Sequence, residues 1–118
     1  AAGVDLAAFL PEGELVIPAG GRALVPTGLT MAVPRGWGGF VLARSSMGVK
    51  YGVNLSNGVG LIDPDYRGEV KVALIIIPCG DRIAQLVLLP APCISLVEQA
   101  ALEETARGTG GFGSTGRR

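Results

Sequence analysis

Apolar residues in this chain come in short runs rich in Val, Leu and Ile, each cut off by glycine, proline or a pair of polar residues. Read as strands, the runs are Leu15–Ile17, Arg22–Pro26, Leu29–Val33, Trp37–Ala43, Val53–Ser56, Val59–Ile62, Glu69–Ile77, Ile83–Leu89 and Ile94–Leu96. None is long enough, or spaced at a helical period, to compete with that reading. Many short strands between turn residues predict an all-β sandwich, jelly roll or barrel. Asn57-Gly58 between two such runs predicts a type I′ hairpin, because both turn positions need φ > 0. Pro18–Gly21 and Pro34–Gly36 read as further turns. Ala100–Ala106 is the one candidate for a helical turn, and Leu96–Gln99 reads as a strand leaving the core.

The stretch 107–116, Arg-Gly-Thr-Gly-Gly-Phe-Gly-Ser-Thr-Gly, breaks the pattern. Ordering glycine costs more backbone entropy than ordering any other residue, so this stretch holds no fixed structure alone. It divides the chain into a β domain, 1–106, and a tail, 107–118. On composition the tail is a disordered end. Its arginine, hydroxyls and single aromatic also suit a phosphate and a base, with glycine N–H groups closing around the oxygens.

Composition narrows the partners. The 118 residues make one domain, which buries roughly 65% of its unfolded surface. Ten basic and ten acidic residues cancel, so no global field draws the chain to nucleic acid or an anionic membrane. No apolar stretch approaches the ~20 residues of a membrane span, and none reads as a signal peptide. Cys79 and Cys93 lack zinc-site spacing and read as reduced, semi-buried thiols of a cytoplasmic protein. There is no histidine. Acid–base chemistry near neutral pH must then come from a carboxylate, a bound metal or a perturbed cysteine.

Asp63 is the best-placed carboxylate. It lies in Gly60-Leu-Ile-Asp-Pro-Asp-Tyr-Arg-Gly68, where an apolar run ends in two acids, a proline and a tyrosine. Alone it reads more readily as a turn acid. Arg44-Ser-Ser-Met-Gly48, where the run Trp37–Leu42 stops, is either a phosphate clamp or a turn before a solvated face. Gln85, among apolar residues, needs a defined partner for its amide if buried.

Taken in order, these clusters resemble the homotrimeric deoxyuridine triphosphatase (dUTPase) family. Ala2-Gly-Val-Asp-Leu6 is similar to its first motif, Arg44–Gly48 to its second, Asn57–Gly68 to its third, Gly80–Leu86 to its fourth and Arg107–Gly116 to its fifth. The resemblance implies a jelly-roll-like β-clip fold assembled as a trimer. Each active site would draw on three chains, with the strand-swapping tail crossing onto a neighbour. It implies hydrolysis of dUTP to dUMP, the precursor of thymidylate, and pyrophosphate. Mg2+ would be held by the substrate phosphates and water rather than by protein ligands.

By position, the resemblance makes Asp63 the group that activates the water attacking the α-phosphorus. It gives phosphate contacts to Arg44, Ser45, Ser46 and Gln85, with Arg107, Ser114 and Thr115 closing over the γ-phosphate. Asn57 and Gly60 would read uracil, Tyr66 would pack on the deoxyribose and exclude a 2′-hydroxyl, and Phe112 would cover the base. Asp5 would support the phosphate region. The nearest enzymatic rival is a dCTP deaminase of related fold, and the complete Gly60–Gly68 segment with Tyr66 and the Phe112 tail favour dUTPase. A non-catalytic nucleotide sensor on the same fold should lack Asp63, Arg44 or the tail, and all three are present. Two departures from the family pattern stand out. The chain opens almost on the first motif, and it has little length between Gly68 and Gly80, which points either to a shortened hairpin or to an absent loop; the second is favoured, since losing a strand pair would expose a sheet edge.

Overall fold

A computed structural model describes residues 2–18, 20–74, 77–78 and 82–109. Eight strands and one short helix follow in the order β1 (Val4–Ala7), β2 (Glu14–Leu15), β3 (Leu24–Pro26), β4 (Trp37–Ala43), α1 (Ser45–Tyr51), β5 (Gly60–Ile62), β6 (Lys71–Ala73), β7 (Ile77–Pro78) and β8 (Arg82–Pro90). The all-β expectation is met. The main sheet runs β1-β8-β4-β5, and two-stranded sheets β2-β7 and β3-β6 complete the framework. Every pairing is antiparallel.

The main sheet has two chemically different faces, because side chains alternate along a strand. Leu6 pairs with Ala84, Val41 with Leu86 and Gly39 with Ile62. These positions point inward, and Leu6, Val41, Ile62 and Ala84 join Val25, Val53, Val70, Val72 and Ile83 in one buried cluster. Asp5 pairs with Gln85, and Gln85 with Leu42 on its other side, on the outward face. The buried Thr27 hydroxyl donates to the Val70 carbonyl at 2.7 Å. No buried side-chain nitrogen or oxygen among the described residues lacks a partner.

Several expectations from the pattern fail locally. Leu29–Val33 and Val53–Ser56 are irregular, although the Leu29 carbonyl still accepts the Val70 N–H. Glu69–Ile77 divides into β6 and β7, with 75 and 76 outside the described residues. The expectation of a missing loop between Gly68 and Gly80 falls largely there too. No hairpin closes on Asn57-Gly58. Gly58 N–H returns to Leu55 C=O, so the turn centres on Ser56-Asn57, and β5 pairs with β4 instead. Val4–Ala7 is a strand that the apolar-run criterion passes over, because an acid and an alanine dilute it.

The helix is the largest surprise. Gly48 and the β-branched Val49 give Ser45–Tyr51 poor intrinsic propensity, and Ala100–Ala106, the expected helical turn, is not helical. What holds α1 is its end. Gly52 adopts φ 65°, and the N–H groups of Gly52 and Val53 return to the carbonyls of Gly48 and Met47. The Gly52 bond, four residues back, is that of an αL cap, and the buried Val53 and the partly buried Met47 pack into the core cluster.

Beyond Pro90 the chain leaves the body. Ala91–Thr109 is exposed throughout, including Leu96 at 93% and Leu102 at 84%. The radius of gyration is 18.9 Å, against about 13–14 Å for a compact chain of this length. Ile94–Leu96 therefore forms no strand within this chain, and Cys93 is exposed rather than semi-buried; Cys79 lies outside the described residues.

Candidate functional site

Three groups of the expected residues are found, in three places. The first is a polar corner on the outward face of the main sheet, where β1, β8 and the end of β4 meet. Asp5 and Gln85 face one another across β1 and β8. Arg44 follows β4 on the same face. Its Nε donates to Asp5 Oδ1 at 2.9 Å, and its Nη1 donates to the Arg82 carbonyl at 3.3 Å. Arg82 Nη1 reaches Asp5 Oδ2 at 3.4 Å. Gln85 Nε2 donates to the Ala43 carbonyl at 3.1 Å, which meets the expectation that its amide has a defined partner. Ser45 and Ser46 begin α1, and Arg44 and Ser45 line a shallow cavity of about 350 Å³ on the helix.

The second place is a cavity of about 340 Å³ between β4–β5 and β3–β6, lined by Val41, Asn57, Gly60, Tyr66, Glu69 and Lys71, among others. The turn 63–66 shapes it. Pro64 takes the second turn position, which its fixed φ favours, and Tyr66 N–H returns to Asp63 C=O at 3.1 Å. Arg67 folds back so that Nη1 donates to the carbonyls of Pro64 and Tyr66, each at 2.8 Å. The Tyr66 hydroxyl donates to the Glu69 carbonyl at 2.9 Å, so the ring is tied at both ends. Gly68 leaves the ring its space: a Cβ at that position would overlap the Tyr66 ring and its hydroxyl oxygen and push them aside.

The third place is the cleft beside that cavity, about 690 Å³, where the exposed Asp63 carboxylate shares the walls with Arg35, Trp37, Asp65, Arg67 and Cys93. Leu61 lines both spaces. Asp63 follows Ile62, which pairs with Gly39 near the start of β4, whereas Arg44 follows its end. About six residues of strand lie between, or roughly 20 Å at strand rise. The polar corner also faces outward, while Val41 and Ile62 border the 340 Å³ cavity from the inward face. Within one chain, then, Asn57, Gly60, Tyr66 and Asp63 are neighbours, and Asp5, Arg44, Ser45, Ser46 and Gln85 are neighbours, but the two sets are apart.

Arg107 is exposed in a turn whose Gly108 N–H returns to the Thr105 carbonyl and hydroxyl. Phe112, Ser114 and Thr115 lie outside the described residues. Sequence reasoning missed Arg82. Its signal was a break in alternation: Ile83 and Ala84 are adjacent yet both buried, which a regular half-buried strand does not allow.

With this arrangement in place the comparisons are decisive. The dUTPase family model matches residues 1–116. The chain belongs to the dUTPase family. The deoxyuridine 5'-triphosphate nucleotidohydrolase of Desulfitobacterium hafniense (strain DSM 10664 / DCB-2) is 51% identical over 124 residues, taking in 98% of this chain and 82% of its own length. A mutant dUTPase of Staphylococcus bacteriophage 80alpha with dUpNHpp matches at TM-score 0.86 and 22% identity, over 98% of this chain and 86% of that one. A mutant dUTPase from phage phi11 of S. aureus, described for its coordination of a structural Mg(II) ion, matches at TM-score 0.77 and 20% identity, over 88% and 86%. At these identities the two phage structures bear on the fold alone. Among the described residues no helix is long and apolar enough to cross a membrane.

Proposed function

We propose that this chain hydrolyses dUTP to dUMP and pyrophosphate in the cytoplasm, at sites assembled from several copies of itself. The observation that carries the reading is the separation just described: a nucleoside cavity with an adjacent carboxylate in one place, and a cationic corner in another. A polyphosphate cannot touch both within one chain, but it can where the corner of one copy abuts the cavity of the next. The exposed apolar arm 91–109 supports the same assembly. Single exposed leucines are ordinary on a protein surface, but an arm bearing Ile94, Leu96, Val97 and Leu102, all exposed, calls for a covering surface. A homotrimer, with the tail 107–118 as a separate covering element, accommodates these features.

In this mechanism uracil enters the 340 Å³ cavity against Asn57 and the backbone at Gly60. Uracil offers an acceptor at O4 where cytosine offers an amino donor, so groups that satisfy one leave unpaired donors against the other. Tyr66, fixed through Glu69 and the 63–66 turn, packs on the deoxyribose and leaves no space for a 2′-hydroxyl. Asp63 accepts a hydrogen bond from the attacking water and orients it toward the α-phosphorus, in line with the leaving pyrophosphate. Arg44, Ser45, Ser46 and Gln85 from a neighbouring copy offset charge on the phosphate oxygens. Arg107, Ser114 and Thr115 close on the γ-phosphate, and Phe112 covers the base.

No group of three or more His, Cys, Asp or Glu side chains able to hold a metal occurs among the described residues, and Asp5 is engaged by two arginines. This donor set fits a Mg2+ that arrives on the triphosphate with water in its remaining positions, the usual habit of that ion. When bound, the ion neutralises phosphate charge as pyrophosphate leaves.

The test is pyrophosphate release from dUTP, dCTP and UTP with Mg2+. Selective turnover of dUTP is expected; equal or preferred turnover of dCTP or UTP rejects the specificity. For the shared site, an Asp63→Asn chain co-expressed with an Arg44→Gln chain should, at dUTP far below the KM of Arg44→Gln, turn over dUTP faster than either variant alone. A mixture no faster than the mean of its parents means that each chain carries its own complete site.

A further inference from the structure

We propose that Arg82 is a positioning residue for the phosphate clamp, acting through Asp5 on Arg44; the inference rests on the dUTP-hydrolysing reading above. The first observation is the register. Across β1 and β8, Asp5 pairs with Gln85 and Leu6 with Ala84, and then Ala7 pairs with Arg82 rather than with Ile83. Ile83 is the extra residue of a β-bulge. Strict alternation would place Ile83 on the face of Gln85 and Arg82 on the opposite, inward face. The bulge buries Ile83 completely and turns Arg82 onto the outward face beside Asp5. Bulges disrupt a ladder locally, and one way they are used is to re-aim a side chain near an active site.

The second observation is the hydrogen-bond chain. Asp5 gives one oxygen to Arg44 at 2.9 Å and the other to Arg82 at 3.4 Å, while the Arg82 carbonyl accepts a second bond from Arg44. Side-chain exposures of 25%, 36% and 64% for Arg44, Asp5 and Arg82 place this network in the regime where ion pairs add little to stability. Its charge balance has a clearer use. Asp5 alone would fix the Arg44 fork but cancel its charge, leaving a neutral pair for a polyanion. Adding Arg82 leaves the three side chains at net +1. Arg82 thus offsets the Asp5 carboxylate that it contacts, so that Arg44 is held in one orientation and still meets a triphosphate as a cation; with Asp5 neutral, Arg82 has nothing to offset.

The experiment measures pyrophosphate release and binding of dUpNHpp and dUMP by full-length wild type, Arg82→Gln, Arg82→Lys, Asp5→Asn and the Asp5→Asn/Arg82→Gln double variant, each checked for folding by circular dichroism. Arg82→Gln should raise the KM for dUTP about five- to tenfold at low ionic strength, with kcat within twofold. Binding of dUpNHpp should weaken more than that of dUMP, and the difference should shrink as salt rises. Arg82→Lys, which restores the charge, should recover most of the loss. The deciding comparison is the double-mutant cycle. If Arg82 acts through Asp5, its replacement in the Asp5→Asn background has less than half its effect in wild type. An equal effect in both backgrounds overturns the proposal, since Arg82 then meets the phosphates directly. So does a wild-type KM in Arg82→Gln. Should Arg82→Gln fail to fold, Arg82→Lys carries the test: a KM raised more than threefold with unchanged salt dependence rejects the charge argument. Failure of wild type to turn over dUTP instead rejects the underlying reading.

Discussion

In the proposed function, the Tyr66 turn and the Arg44 corner would solve recognition in opposite ways. The turn is built from backbone. Pro64 sets its path, Arg67 clasps two carbonyls, Tyr66 is anchored on the Glu69 carbonyl, and Gly68 leaves the ring its space. The corner is built from exposed charged side chains brought together by strand register and one bulge. A backbone-built pocket has few ways to rearrange, so it suits discrimination between similar nucleosides. A cluster of exposed charges supplies affinity for an anion but little selectivity among anions, and salt weakens it. The base and sugar would thus set which nucleotide is accepted, and the corner how tightly its phosphates are held.

Substitutions can break this contrast, in order of size. Asp63→Asn removes the water-orienting carboxylate without disturbing either region, since the turn uses the Asp63 carbonyl rather than its side chain. A fall in kcat of about 10²–10⁴ is expected, read by pyrophosphate release with dUpNHpp affinity unchanged; full activity would sink the role given to Asp63. Arg44→Gln removes a charge-assisted contact. Its loss of about 1.5–3 kcal/mol should appear as a ten- to hundredfold rise in the KM for dUTP, with the dUTP-to-UTP preference intact. A changed preference would mean that the corner also reads the sugar.

Gly68→Ala makes the converse test. The added methyl displaces the Tyr66 ring, so discrimination against UTP should drop about tenfold, about 1.4 kcal/mol of differential binding. The salt dependence of dUTP binding should stay as in wild type. Tyr66→Ala should lose the same discrimination, and if it rejects UTP as strongly as wild type the sugar assignment fails. The smallest effect is expected from Tyr66→Phe, which removes only the bond to the Glu69 carbonyl, worth about 0.5–1.5 kcal/mol. Thermal denaturation should show a drop of a few degrees, with selectivity nearly kept; an unchanged melting point would mean that the ring is held by packing alone.

Much of the architecture is legible in the chain, where a local rule and the tertiary environment agree. Trp37–Ala43 and Ile83–Leu89, apolar apart from Gln85, become β4 and β8, the two longest strands. Where the rules conflict, the reading fails. Ser45–Tyr51 has the composition of a loop, yet its Gly52 cap and the burial of Val53 make it helical. Asn57-Gly58 carries a strong hairpin signal, but β5 takes β4 as its partner, so the turn moves one residue toward Ser56.

The site divides in the same way. The motif wording alone singled out Asp63, Tyr66 and Arg44 as candidates, because chemistry and order are written in residue identity. Residue identity carries no distance. That Asp63 and Arg44 stand at opposite ends of β4, and that Asp5, Gln85 and Arg82 share a face, follows from pairings between residues as far apart in the chain as Val4 and Leu86. Register is set by which apolar side chains can be buried together, a property of the whole core rather than of any one segment. The sequence by itself determined the fold class and the chemical parts; only the tertiary structure decided which parts meet, because strand pairing joins residues that the chain keeps far apart.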